Sequence, residues 1–380
     1  MTPANNGRRA KGRITLLVLS LLSVMVMAGA VILAFMLADR RQPQTTETTS
    51  TAAVIGGFAC EPAEAARLHP FGSGVFKVDT ARTSFLDMNG TEQWGVDQSM
   101  LSPACFVNET MLLVADIGGS SYLVLNENGL VRKGTVSGTL TGAAVSGGQL
   151  FALVIEQPEN KGRVRVVSAV ETKEYEWDFI SRKSGYVLSV SFSPDDQWLD
   201  VITLDTDRHA AQSMLKRLDA GTGGQAAQYI PEEHGMFSAV VYDDKLDSVM
   251  VGSDSAVGFR EDATVAYSHA FSRIFRAATT SRGALLAARK EPEGEIGIYL
   301  AAADGSLSAG PVLPGEPSAL VAAGDLAAVA VGAQVYVLDL DTLTLETEMP
   351  AGSEIIRLRL DPDRGLAAVT QDHVGRMPAG

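Results

Sequence analysis

Histidine and cysteine are scarce, with five and two in 380 residues. The histidines (His69, His209, His234, His269 and His373) are widely separated. None stands at metal-ligand spacing from another or from a cysteine, so there is no HExxH helix and no His/Cys cluster for zinc. GxSxG elbows and GxxxxGK(S/T) loops are also missing, which removes the local signatures of α/β-hydrolases and P-loop enzymes. A Ser-His-Asp triad is assembled from separate parts of a chain and has no local signature to be missing. Basic residues are few, 31 against 45 acidic, for a net charge of −14. Six of them (Arg8, Arg9, Lys11, Arg13, Arg40 and Arg41) flank one apolar segment. Beyond residue 57 the count is 25 against 43, a net charge near −18. A field of that sign opposes phosphate backbones and anionic headgroups, so nucleic acid is excluded as a partner.

What the chain does have is one long apolar run. Ile14 to Ala38 is 25 residues without a charge. That exceeds the roughly 20 residues a helix needs to cross a bilayer core, and the length allows tilt. A cleaved signal peptide has a shorter apolar region, about 7 to 15 residues. Met36 also spoils the small-residue cleavage pattern ending at Ala38. The run is therefore expected to stay as a transmembrane signal anchor. Four basic residues precede it, which predicts a cytoplasmic N-terminus and an extracytoplasmic remainder at the cell membrane. The expected order is a cytoplasmic tail (1–13), a transmembrane helix (14–38), a Thr-rich flexible stalk (39–57) and one extracytoplasmic domain (58–380).

Outside that run no segment of 12 or more residues has helical periodicity. From about Leu68 onward, short alternating or apolar runs are broken by Gly, Asp, Asn and Pro, which is the pattern of strands and turns. The stretch TSFLDMNGTEQW (83–94) is an apolar strand, a polar turn and a second extended run. It recurs as SYLVLNENGLVRKG, VRVVSAVETKEYEW, LKRLDAGTGGQAA, AVGFREDATVAYS, GIYLAAADGSLSAG and VYVLDLDTLTLET. From Gly90 to Thr342 the six steps give a mean period of 42 residues. A second pair of runs precedes these hairpins, as in 186–204, 237–253, 318–332 and 355–370. Four strands every 40 to 50 residues or so predict an all-β fold, a β-propeller. The first hairpin reads with a partner strand at 74–79 and no innermost strand, whereas the C-terminus has strands to spare. Seven blades are therefore expected, with eight as the alternative, and the ring is expected to close with strands from both chain ends.

The segments HPFGSGVFKVDTARTSFLDMNGTEQW and SGYVLSVSFSPDDQWLDV, together with the single N-terminal span, resemble an uncharacterised family of bacterial membrane-anchored propellers. The blades of that family are similar to quinoprotein-type and WD40-type repeats. The resemblance covers most of 68–370 and implies a fold and a topology, with no activity attached. It departs from the usual pattern at SPDDQ, where Gly commonly follows the Asp.

Candidate chemistry is sparse. Asp195/Asp196, Asp205/Asp207, Asp339/Asp341 and Asp361/Asp363 could ligate calcium. All sit at predicted turns, where Asp serves the backbone. Asp87, Asn89, Asp219, Asp304, Asp339 and Asp361 likewise read as repeated turn residues. Trp94 occupies the place of a quinoprotein docking tryptophan, but without an adjacent cysteine pair it reads as a packing residue. No cofactor, metal or catalytic residue is expected. Cys60 and Cys105 form a possible disulfide if the domain lies in an oxidising compartment. The function read from all this is a non-enzymatic protein-interaction or scaffold module of the cell envelope, with an unidentified protein partner. The alternative is an envelope sensor or enzyme that binds a small ligand in the propeller channel.

Overall fold

The computed structural model describes residues 55–158, 160–171, 174–179, 185–206, 211–231, 235–260, 262, 264–361 and 365–377. The segments read as tail and membrane span, with nearly all of the stalk, lie outside the described residues. Among the described residues no helix is long and apolar enough to cross a membrane.

The strands form eight four-stranded antiparallel sheets. Blades 1 to 7 each use four consecutive strands. In blade 1 these are, from the channel outward, Leu68–Phe71, Gly74–Val78, Arg82–Leu86 and Glu92–Asp97. The innermost strands of blades 2 to 7 are Pro103–Val107, Thr139–Val145, Tyr186–Phe192, Phe237–Tyr242, Arg273–Thr280 and Ala319–Ala323. Blade 8 is composite. Its Ile355–Asp361, Gly365–Thr370 and His373–Met377 come from the C-terminal end, and Ile55–Ala59 pairs onto the last of them.

Closure from both chain ends is as the strand count suggested, but the expected number of blades is corrected from seven to eight. Blade 1 owns an innermost strand. It was not visible in the sequence because it is only four residues long and contains Pro70. Proline lacks the N–H that a central strand must donate, but a strand facing the channel has one unpaired edge where it is tolerated. Pro70 pairs there with Val75. The surplus C-terminal strands therefore complete a separate blade rather than the first one.

Packing gives the same number. Side chains alternate along each strand, so every blade offers one apolar face to each neighbour. In blade 3, Phe151, Leu153 and Ile155 pack toward blade 2, whereas Ala152 and Val154 pack toward blade 4. Eight hydrophobic clusters result, one at each junction between neighbouring blades. The last fills the seam between blades 8 and 1 with Leu68, Val75, Val369 and Val374.

The repeated polar residues hold turns. Between the third and fourth strands, Asp87, Asn126, Asp219, Asp262, Asp304 and Asp339 each accept a hydrogen bond from a backbone N–H two to four residues on. In blade 3 the Ser168 hydroxyl accepts from the Glu171 N–H instead. Asp361 differs from the set, since it ends the innermost strand of blade 8 and lies at a different turn.

Candidate functional site

The innermost strands run side by side around the axis, all in the same direction, and their N-terminal ends open on one face of the ring. Three of their arginines reach across blade junctions. In blades 6 and 8 the register slips by one residue, between Ile274 and Arg276 and between Ile355 and Arg357. Such a bulge bends the strand and re-aims the next side chain. Arg276 Nε donates to the Ser318 carbonyl at 3.1 Å, and Ser318 Oγ donates to the Ile355 carbonyl at 3.1 Å. Arg357 then donates from Nε to the Leu68 carbonyl (3.1 Å) and from Nη2 to the Ala66 carbonyl (2.8 Å). Because the innermost strand of blade 1 is short, Arg359 passes over it. Its guanidinium lies 5.0 Å from the Phe71 ring, and Nη1 donates to the Asn108 carbonyl of blade 2 at 3.0 Å. Blades 6, 7, 8, 1 and 2 are thereby stitched together at the channel wall.

The same wall encloses space. A cavity of about 560 Å³ in the channel is lined by polar residues, among them Arg357, Arg359, His69 and Asn108, interleaved with apolar ones, among them Val107, Ala319, Val321 and Leu360. A second cavity, about 410 Å³, lies between blades 8, 1 and 2; it shares His69 and Arg357 and adds Arg67, Asp79 and Cys105. Asp79 is already engaged by Arg67. Among the described residues neither Arg276 nor Arg357 has a carboxylate partner. Their acceptors are backbone carbonyls, which satisfy donors but leave the positive charge unneutralised.

Two further ionisable groups at this wall, His69 and Cys105, are held neutral. Burial, and then the Arg357 charge, push the pKa of His69 down to about 3. Burial pushes the Cys105 thiol up to about 12, against the opposing pull of Arg357. A catalytic Cys–His pair needs the reverse shifts, with a thiolate beside an imidazolium.

The residues singled out in the sequence do not converge. Among the described histidines, His69 is at the channel, His269 is in the outermost strand of blade 5, and His373 starts the third strand of blade 8. His209 and His234 lie outside the described residues, as do Asp207 and Asp363. Asp195 accepts from the Ser193 hydroxyl at 2.5 Å and the Gln197 N–H at 3.3 Å, and Asp339 accepts from Thr342; both serve turns. Asp341 pairs with Arg282. Among the described residues no group of three or more His, Cys, Asp or Glu could hold a metal ion. Trp94 stacks on Phe85 and donates from Nε1 to the Glu127 carbonyl at 2.8 Å, tying blade 1 to a turn of blade 2. Cys60 and Cys105 are free thiols in different clusters, Cys60 at the seam of blades 8 and 1 and Cys105 between blades 1 and 2.

Sequence reasoning missed the arginines. The alternation in IIRLRLD places Arg357 and Arg359 on the same side of one strand, a signal available beforehand. A second omission is the pair Asp200–Arg217, cross-strand neighbours within blade 4, which is buried and bidentate at 3.0 Å on both bonds.

Comparisons with known proteins agree on the fold. A model of a family of unknown function, DUF5711, matches residues 45–274, more than half of the chain. No curated protein matches the sequence. Among solved structures, Sqt1 of Chaetomium thermophilum, bound to the N-terminus of ribosomal protein L10, is similar at a TM-score of 0.59 and 13% identity, over 86% of this chain and 100% of that one. BamB of Moraxella catarrhalis is similar at 0.52 and 10% identity, over 85% and 100%. The computationally designed protein Ika8 is similar at 0.59 and 12% identity, over 82% and 95%. At these identities the likeness shows a β-propeller and no activity.

Proposed function

The chain belongs to DUF5711, a family of unknown function, and we propose that it is a membrane-anchored propeller that binds another protein and catalyses no reaction. The observation that carries this reading is where large apolar side chains are exposed. Leu101 is 88% exposed and Met236 63%, and Val312, Tyr186 and Ile230 are exposed as well. By the strand order all five lie at the ring face where the innermost strands begin. Leu101, Ile230 and Met236 are in links between blades, Tyr186 starts an innermost strand, and Val312 is near the end of an outermost one. Val170 (65%), Leu130 and Leu345 are exposed at the opposite face. Leu101, the most exposed large apolar side chain among the described residues, and the four others named share this one. Exposed apolar side chains on an acidic domain are what a protein interface uses and what solubility opposes. The Sqt1 propeller, with a ribosomal-protein N-terminus bound, is a precedent for a ring of this shape holding a polypeptide segment.

In this reading the segment Ile14–Ala38 anchors the chain, the N-terminus is cytoplasmic, and the propeller stands outside the membrane on its stalk. The test is site-specific photo-crosslinking of the full chain in its own cells, from positions 101 and 236 and, as a control, from position 304 on the opposite face. We expect one discrete crosslinked protein from 101 and 236, lost in a Met236→Glu variant crosslinked from 101. Equal crosslinking from both faces, or none, would reject the interface. Topology is tested separately with a reporter active only outside the membrane. Fused after Gly380 it should be active, and fused before Met1 it should be silent.

A further inference from the structure

We propose that the groove between the outer parts of blades 6 and 7 receives a basic segment of the protein partner, with a Lys or Arg head group held by Glu295 and Glu348. This rests on the protein-binding reading and names the chemistry of the partner. The groove holds about 580 Å³ and lies at the face where the innermost strands begin. Ile296, Val312, Leu313 and Pro314 of blade 6 and the Tyr336 ring of blade 7 line it. Val312, 55% exposed, is one of the five apolar side chains assigned to the interface, so the groove continues that surface outward.

Two carboxylates in this lining are uncommitted. Glu348 is the cross-strand neighbour of Tyr336, and Glu295 immediately precedes the third strand of blade 6. Both are exposed, and among the described residues neither has an ion pair or hydrogen bond. Burial, and then the Glu348 charge, raise the pKa of the Tyr336 phenol, so that carboxylate acts on the ring beside it. A long basic side chain suits the arrangement. Its alkyl stem covers apolar surface while its head stays with the carboxylates, and an aromatic face adds attraction for the cation.

Three cations lie nearby, and none pairs with either carboxylate. Arg273 is bridged to Glu316 at 3.5 Å. Lys290 acts on His269 in the outermost strand of blade 5, at the other junction of blade 6. Arg289, in the second strand of blade 6, lines the inner end of the groove. Its Nε is buried, and its guanidinium lies 5.6 Å from the Phe275 ring of the innermost strand. Arg289 therefore keeps a basic group away from the inner end and leaves it the outer one, where Glu348 stands. Glu291, Glu293 and Glu346 are exposed close by in the chain, and the domain is strongly acidic as a whole. That field draws a basic segment in and opposes an acidic one.

The test has two arms. In the first, the full chain in a neutral detergent is titrated calorimetrically with an acetylated, amidated heptapeptide, Ala-Leu-Lys-Pro-Lys-Leu-Ala, and with its Gln-for-Lys and Glu-for-Lys forms. We expect saturable one-to-one binding of the Lys form, with the other two weaker by at least about tenfold. Combining Glu295→Gln with Glu348→Gln should weaken the Lys form by at least about tenfold. Combining Glu109→Gln with Glu171→Gln removes the same charge from exposed positions on the opposite face. That control should change the affinity by less than about twofold. In the second arm, crosslinking of the partner from position 101 should fall in the first double variant and persist in the control. No saturable binding of the Lys form, equal binding of the Lys and Gln forms, or equal losses in the two double variants would each overturn the proposal. Undiminished crosslinking from 101 in the first double variant would overturn it too, and would leave the protein-binding reading standing. Absence of crosslinking in the wild type would reject that reading instead, and the titration would then decide the groove alone.

Discussion

The Asp200–Arg217 pair offers the sharpest test of how the ring is held between blades 4 and 5. The Asp200 side chain is 0% exposed and that of Arg217 6%. Arg217 donates from Nε and Nη2 to the two carboxylate oxygens at 3.0 Å each. Ser248 of blade 5 donates its hydroxyl to Asp200 Oδ2 at 2.5 Å, so the pair is also the link to the next blade. The guanidinium is flanked by the Trp198 and Tyr229 rings at 5.7 and 5.8 Å. Burial works against the Arg217 charge, but the Asp200 bonds and field outweigh it and raise the guanidinium pKa.

Substituting Arg217→Met keeps most of the stem and strands a buried carboxylate, and Asp200→Leu strands a buried guanidinium. Removing one member of such a pair costs about 3 to 5 kcal/mol. Replacing both with apolar groups removes the stranded charge as well, and similar replacements elsewhere are neutral or stabilising. The double variant should therefore recover most of the loss, giving a coupling energy of at least about 2 kcal/mol. The assay is denaturant and thermal unfolding of the full chain for wild type, both single variants and the double. For a domain of this size each single should lower the midpoint by roughly 5 to 10 °C. A single-variant loss under about 1 kcal/mol, or a double-variant loss equal to the sum of the singles, would refute the reasoning.

Three further outcomes are expected. His69 binds its proton near pH 3 when folded and near 6.5 when unfolded, so its contribution to stability is intact above pH 6.5 and is lost as the pH falls toward 3. Discounted for its partial exposure, the loss should be on the order of 2 kcal/mol by pH 4. His69→Gln should flatten that part of a stability-against-pH curve, and an unchanged slope would count against a neutral imidazole. Gly57 has φ +120°, and a Cβ there would lie 1.9 Å from the Val374 carbonyl oxygen. Gly57→Ala should cost more than about 1 kcal/mol and free the strand Ile55–Ala59; amide exchange at Phe58 as slow as in wild type would contradict that. Asp304→Ala and Asp339→Ala should each lower the melting temperature by removing a turn bond, and leave crosslinking to the partner intact. Loss of crosslinking at an unchanged melting temperature would instead make the Asp part of the interface.

What could be read from the sequence follows from what repeats. Each of blades 1 to 7 needs a turn between its third and fourth strands, and a side-chain oxygen to hold it, so Asp87, Asp219, Asp304 and Asp339 recur at a steady period and reveal the architecture. Apolar alternation adds the strands and their two faces. The innermost strand of blade 1 broke the pattern because a channel-facing strand tolerates a proline that an interior strand does not, and the blade count fell by one. The channel wall breaks it more completely. Alternation in IIRLRLD tells which side of a strand Arg357 and Arg359 occupy, but not which blade lies on that side. For blade 8 the neighbour is blade 1, whose Leu68 carbonyl is 289 residues away in the chain. A ring draws its centre from single, non-equivalent residues of every blade. Searching at fixed spacing therefore finds the turns that build the ring and passes over the channel, whose wall exists only once Ile55–Ala59 has closed the circle.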